Sequence, residues 1–125
     1  MHMQYTYSLK IVAPKLLDKE ISQILEVEPN VPIGNWEYEI IEKDTDPPVD
    51  FIQVFMEILE PRIDRLLELG ITRDDISVWL LYEYEDQCNM EFSPAQMSRL
   101  AQNEITLCIS CYQMESEEYD SSSNG

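Results

Sequence analysis

Histidine, glycine and basic residues are scarce in this chain, and each scarcity removes a class of function. The single histidine is His2, close to a chain end, where segments fray. Nucleophilic or acid–base catalysis built on a positioned histidine therefore has no residue to use. Three glycines, Gly34, Gly70 and Gly125, lie too far apart to make a phosphate-cradling loop. Eight Lys and Arg against 25 Asp and Glu leave no basic patch for nucleic acid. No apolar run approaches the length of a bilayer span. The first residues also lack the basic stretch, apolar stretch and cleavage site of a secretory signal. We therefore expect a cytoplasmic protein that binds neither nucleic acid nor membrane; the pattern fixes no oligomeric state.

Cysteine is nearly absent too. Cys88, Cys108 and Cys111 form an odd, small set, read as reduced thiols rather than a disulfide framework. Cys108-Ile-Ser-Cys111 has the spacing of redox and zinc motifs, but it falls in a predicted strand. Two residues three apart on a strand point to opposite faces, so the pair reads as structural. Asp44-Thr-Asp46 resembles the start of a calcium loop without the glycine and terminal glutamate such a loop requires. No cofactor and no dedicated metal site are expected.

What the chain has in abundance is negative charge, a formal −17 in 125 residues. A small domain needs a magnitude of only about 2–8 for solubility. The acids alternate with apolar residues, which make up 44% of the composition, so a folded body carries the field. Residues 1–114 read as one domain; Glu115 to Gly125, acidic and serine-rich without periodicity, reads as a disordered tail.

The apolar periodicity predicts the order β-α-β-α-β-β-α-β. Tyr5, Tyr7, Leu9 and Ile11 alternate as a half-buried strand, 5–12. Leu17, Ile21, Ile24 and Leu25 make the stripe of a helix over 15–27, stopped by Pro29. Trp36, Tyr38 and Ile40 alternate with glutamates as a second strand. Asp50 caps the next helix, with Gln53 placed to complete a capping box. That helix runs to Gly70 and is kinked or split by Pro61. Residues 76–84 are apolar on both faces, as in a central strand, and Trp79 within them reads as core. A short strand at 90–92 follows. Ser93-Pro-Ala-Gln96 is a capping box with proline at the first helical position, and 105–114 closes as a strand. The fold class is α+β: a mixed, mainly antiparallel sheet of about five strands with three helices packed on it.

Several of these segments resemble a known family. Asn89-Met-Glu-Phe-Ser-Pro94 after an aromatic strand, the closing Ile105-Thr-Leu-Cys-Ile-Ser-Cys-Tyr112, and Ile21-Ser-Gln-Ile-Leu-Glu-Val-Glu-Pro29 are similar to the bacterial family called domain of unknown function 4279. Glu26 stands where that pattern leads us to expect glycine, and the Lys-Gly that follows there is missing. The resemblance covers most of 4–114. It implies no established activity. It does imply the company of small acidic proteins that serve as immunity proteins against polymorphic toxins, many of them nucleases with basic clefts.

The expected function is thus non-catalytic: an acidic protein that neutralises a cognate toxin by binding its basic surface. The alternatives are a carboxylate- or metal-dependent enzyme and a nucleic-acid mimic. Acids cluster from Glu37 to Glu60 and from Glu83 to Glu91. The candidate contact residues are Asp44, Asp46, Asp50, Glu83, Glu85, Asp86 and Glu91. Trp36, safest as core, is added as a possible aromatic anchor, since tryptophan is enriched at binding hot spots.

Self-repulsion at −17 opposes compaction, and salt screens charges beyond roughly 8 Å at physiological ionic strength. Adding sodium chloride is expected to raise the thermal unfolding midpoint by several degrees. A midpoint indifferent to salt would remove repulsion as a significant cost.

Overall fold

A computed structural model describes residues 3–114. The tail expected at 115–125, and His2, lie outside the described residues. Four strands form one sheet: β1 (Gln4–Ile11), β2 (Trp36–Lys43), β3 (Ile76–Tyr84) and β4 (Thr106–Gln113). Their order is β2-β1-β3-β4. β1 runs antiparallel to both neighbours, and β4 lies parallel to β3. The helices are α1 (Asp18–Leu25), α2 (Phe51–Leu59), α3 (Ile63–Glu68) and α4 (Pro94–Gln102), with 3₁₀ turns at Lys15–Leu17 and Arg73–Asp75. The class is α+β with a mixed sheet.

The alternation of β1 decides which face is covered. Tyr7, Leu9 and Ile11 are buried opposite Leu80, Val78 and Ile76 of β3. The helices pack on that face through Ile21, Leu25, Ile52, Phe55, Met56, Leu59, Ile63 and Leu66. Burying these side chains, at about 1.5–3 kcal/mol each, supplies the main stabilising force against the charge.

Two expectations are corrected here. Residues 90–92 are not a strand. β3, the strand they follow, already has β1 and β4 on its two edges, so they cannot fold back to pair with it. Met90 and Phe92 alternate because both turn inward onto the core, Phe92 meeting Phe51 edge-on at 6.2 Å. Trp79 is not core. It lies half-buried on the opposite face of the sheet, with Lys10 Nζ 4.2 Å from its ring centroid and its indole N–H donating to Ser77 Oγ at 2.9 Å. A tryptophan there is covered by a cation on the neighbouring strand rather than by a second layer.

Pro61 splits the long helix into α2 and α3, raising the helix count to four. The Arg62 N–H turns to Leu59 O at 2.8 Å, and the Arg62 guanidinium takes the Ile58 carbonyl instead, at 3.0 Å. Asp50 caps α2 by accepting from Gln53 N at 3.1 Å. The reciprocal half of the box is not formed, because the Gln53 side chain donates to Glu57. Both halves form at Ser93 and Gln96. Arg99 of α4 forks onto the Glu60 carboxylate with two bonds of 2.9 Å, and Asn103 adds a third at 2.9 Å. The Arg99 bonds hold the Glu60 carboxyl below its usual range, against the opposing effect of burial.

Two helices end in the same hydrogen-bond pattern on different residues. After α3, Gly70 N donates to Leu67 O and Ile71 N to Leu66 O, with Gly70 at φ +101°. After α4, Glu104 N donates to Ala101 O and Ile105 N to Leu100 O, with Glu104 at φ 56°. Both are Schellman ends, where glycine is favoured. Glu26, at φ 59° after α1, is also left-handed, so glycine would be at ease there too. Glu104→Gly is expected to stabilise the protein by up to about 1 kcal/mol, and Gly70→Ala to destabilise it by about as much. Nothing lies within 4 Å of a Cβ added at Gly70, so that loss would be a backbone effect. Denaturant midpoints of the two variants check both signs.

Candidate functional site

The register of the sheet brings the two acidic segments to one end. Lys43, the last residue of β2, pairs with Gln4, and Gln4 pairs with Glu83 near the end of β3. The 44–50 loop and the 85–93 loop therefore leave the sheet side by side. Asp50 Oδ1 accepts from Gln96 Nε2 of α4 at 3.1 Å, tying the two connections together.

Between the loops lies a cleft of about 510 Å³, within the size range of ligand sites. Its floor is aromatic. Phe51 stacks on Tyr7 at 4.6 Å and Tyr7 on Tyr5 at 5.7 Å, and all three line the cleft; the stack continues outside the lining, from Tyr5 to Tyr82 at 4.4 Å and from Tyr82 to Tyr84 at 5.5 Å. Glu42, Pro48 and Val49 form one wall; Asn89, Met90, Glu91 and Phe92 form the other. Glu42 Oε1 accepts from the Tyr7 hydroxyl and from Val49 N, both at 2.8 Å.

This setting suppresses ionisation of Tyr5 and Tyr7. Burial pushes the Tyr5 hydroxyl up to about 12, with Tyr82 acting in the same direction. Burial, then the hydrogen bond to Glu42, push Tyr7 higher still. Both rings stay neutral at physiological pH. Neutral aromatic faces beside carboxylates suit a cationic, partly apolar group such as a guanidinium or ammonium.

The candidate residues fall into three groups. Glu91 lines the cleft, and Asp50 caps the helix beside it. Asp44 and Asp46 are exposed on the adjoining loop and structure it: Asp44 Oδ1 accepts from Met3 N at 2.7 Å, and Asp46 Oδ2 from Lys43 N at 2.8 Å. Glu83, Glu85 and Asp86 sit on the outer side of the second loop and its strand, with Gln4 Nε2 3.4 Å from Glu83 Oε2. Trp36 is corrected as a contact residue. It is 1% exposed and pairs with Ile11 at the opposite end of the sheet, seven residues or roughly 23 Å along the strand from Lys43. Its indole N–H donates to the buried Ser22 Oγ at 3.0 Å.

Glu42 and the tyrosine stack are additions that the sequence reading did not single out. Their trace is visible as paired tyrosines at i, i+2 in two strands, Tyr5/Tyr7 and Tyr82/Tyr84, where aliphatic residues fill the rest of the same face.

Among the described residues, no group of three or more His, Cys, Asp or Glu could hold a metal ion, and no helix is long and apolar enough to cross a membrane. Comparison with protein-family models, curated proteins and solved structures finds no match to this chain.

Raised tyrosine values carry a signed pH dependence. The neutral form is favoured by folding, so its contribution is full below the ordinary value of 10.0 and is lost as pH rises toward the folded value. Stability is expected to fall from pH 10 to pH 12, and Tyr5→Phe to lessen that fall. Denaturant titrations at these pH values, beside tyrosinate absorbance, measure it. Equal slopes in the two proteins would contradict the burial of Tyr5.

Proposed function

We propose that this chain is a non-catalytic acidic binding protein, an immunity protein that neutralises a cognate bacterial toxin in the cytoplasm by direct binding. The observation that carries this reading is the convergence of two acidic loops on one cleft whose floor is stacked, un-ionised aromatic rings. Acidic loops alone would steer any basic protein. Together with the cleft they provide a long-range attraction and a local receptor for one basic side chain. The resemblance to the domain of unknown function 4279 family, with its implied company of immunity proteins, points the same way.

The physics divides between the two parts. The field of the acidic loops raises the encounter rate with a basic surface, by an amount that falls with salt. The aromatic floor would act on the dissociation rate, because an Arg or Lys seated there gains cation–π and carboxylate contacts away from bulk water. A nuclease is a fitting partner because its substrate cleft is basic.

The test begins by asking whether a basic toxin domain is encoded beside this chain, its absence counting against the reading, and then uses the full chain with that domain. Replacing Glu83, Glu85, Asp86 and Glu91 by their amides is expected to slow association about tenfold or more at low salt and to flatten its salt dependence. Tyr5→Phe should leave both rates nearly unchanged, since it keeps the π-face. Phe92→Ala should speed dissociation. Failure of the domain to bind would end the toxin reading, and unchanged association in the amide variant would rule out this loop as the steering surface.

A further inference from the structure

The wall of the cleft carries a chemical feature that recognition of a basic partner does not use. Cys88 Sγ and Cys111 Sγ lie 3.0 Å apart. Cys88 is half-buried on the second loop, immediately before the cleft-lining Asn89–Phe92 segment; Cys111 is exposed on β4, opposite Tyr82. A disulfide has a bond of about 2.05 Å, so closure needs roughly 1 Å of sulfur movement. The third cysteine cannot compete. Cys108 pairs with Trp79 on the other face of the sheet. The Cys108-x-x-Cys111 motif is therefore split between the two faces of the sheet, whereas Cys88 and Cys111 are in contact.

We infer that Cys88 and Cys111 form a reversible intramolecular disulfide under peroxide, which fastens the cleft wall to the edge of the sheet. The more exposed Cys111, as thiolate, attacks a hydroperoxide, breaking the O–O bond and becoming a sulfenic acid; with hydrogen peroxide the leaving hydroxide takes a proton to give water. The Cys88 sulfur then attacks the sulfenic sulfur. The S–S bond forms, the S–O bond breaks, and the hydroxyl leaves with the Cys88 proton as a second water. Two thiols supply two electrons and the peroxide is reduced to two waters. Thioredoxin or glutathione reverses the step, in keeping with reduced thiols as the cytoplasmic resting state.

The consequence follows from what holds the loop in the reduced state. Its ties to the sheet include Met114 N to Tyr84 O at 2.7 Å at its start, then Gln113 Nε2 to Glu85 O at 3.2 Å and a long contact from the Tyr82 hydroxyl to Gln87 O at 3.4 Å. A covalent bond at Cys88 fixes the chain one residue before Asn89. Oxidation should therefore rigidify the cleft wall. Hydrogen bonding to Cys111 pushes the Cys88 thiol up, with burial adding to it, which agrees with Cys88 as the second, resolving sulfur.

The experiment needs no partner, so its result is independent of the toxin reading. The full chain, reduced and then exposed to hydrogen peroxide, is expected to lose the mass of two hydrogens per chain and form no crosslink between chains. Tryptic cleavage at Arg99 separates Cys88 from Cys108 and Cys111, so a crosslink across that site must include Cys88. It should persist in Cys108→Ser and vanish in Cys111→Ser and Cys88→Ser. Amide exchange at residues 89–92 should slow on oxidation and recover with reductant. A crosslink through Cys108, an intermolecular dimer, or over-oxidation of separate thiols without a crosslink would overturn the inference. Unchanged exchange at 89–92 despite the right crosslink would overturn its effect on the cleft.

Discussion

Everything at the cleft depends on the register of β1. It is the strand between two antiparallel neighbours, and every one of its eight residues has a partner on both sides. Because side chains alternate with a period of two, a slip of one residue would turn Tyr5, Tyr7, Leu9 and Ile11 away from the helices and bring Thr6, Ser8 and Lys10 into their place. The cost of that exchange, several buried side chains at once, locks the register. The lock then fixes where β2 and β3 end, and so where the acidic loops emerge. The site is a consequence of core packing one strand away from it.

A body with so few cations must use its carboxylates economically. Three ion pairs are seen among the described residues: Lys15–Asp18, Arg62–Glu26 and Arg99–Glu60. Five other acids among the described residues instead accept from backbone N–H groups. Asp50 caps α2, Asp75 closes the turn with Thr72, Asp46 closes the turn at Lys43, and Glu42 holds Val49. Hydrogen bonds to charged acceptors are worth about 1.5–3 kcal/mol, and they leave the net charge intact. The negative field and the loop geometry are thus made by the same residues. Neutralising an acid that also caps a turn changes shape as well as charge, whereas Asp86, at the tip of the second loop, is free of any such bond among those described.

Legibility in the sequence follows the range of the interaction. The Ser93–Gln96 box, the glycine stop at Gly70, the break at Pro61 and the alternation of β1 all involve neighbours within five residues, and each is where the pattern puts it. Misreadings arise where a distant element decides. Trp79 is read as core but lies on the other face because Lys10, 69 positions away in sequence, covers it, and the anchor role added for Trp36 fails because Ser22 of α1 holds its buried indole. Residues 90–92 alternate like a strand, but β1 and β4 have taken both edges of β3. At the site, the acids were legible as clusters. Their convergence was not, because it depends on pairing Lys43 with Gln4 and Gln4 with Glu83.

Tyrosine is the informative choice at the cleft. Leucine or phenylalanine at positions 5, 7 and 82 would bury as much apolar surface without a hydroxyl to satisfy. The fold instead spends Glu42 on Tyr7, and the Met3 sulfur and Gln87 carbonyl on Tyr82. Buried hydroxyls need such partners, so this arrangement demands more of the sequence than an aliphatic floor would. The hydroxyls have structural work that phenylalanine could not do: through Glu42 the Tyr7 hydroxyl ties β1 to Val49 of the first loop, and the Tyr82 hydroxyl reaches the Met3 sulfur and the Gln87 carbonyl of the second. The loop through Cys88 forms one wall over this floor, with Pro48 and Val49 of the first loop on the other, so the state of that loop bears directly on the shape of the cleft.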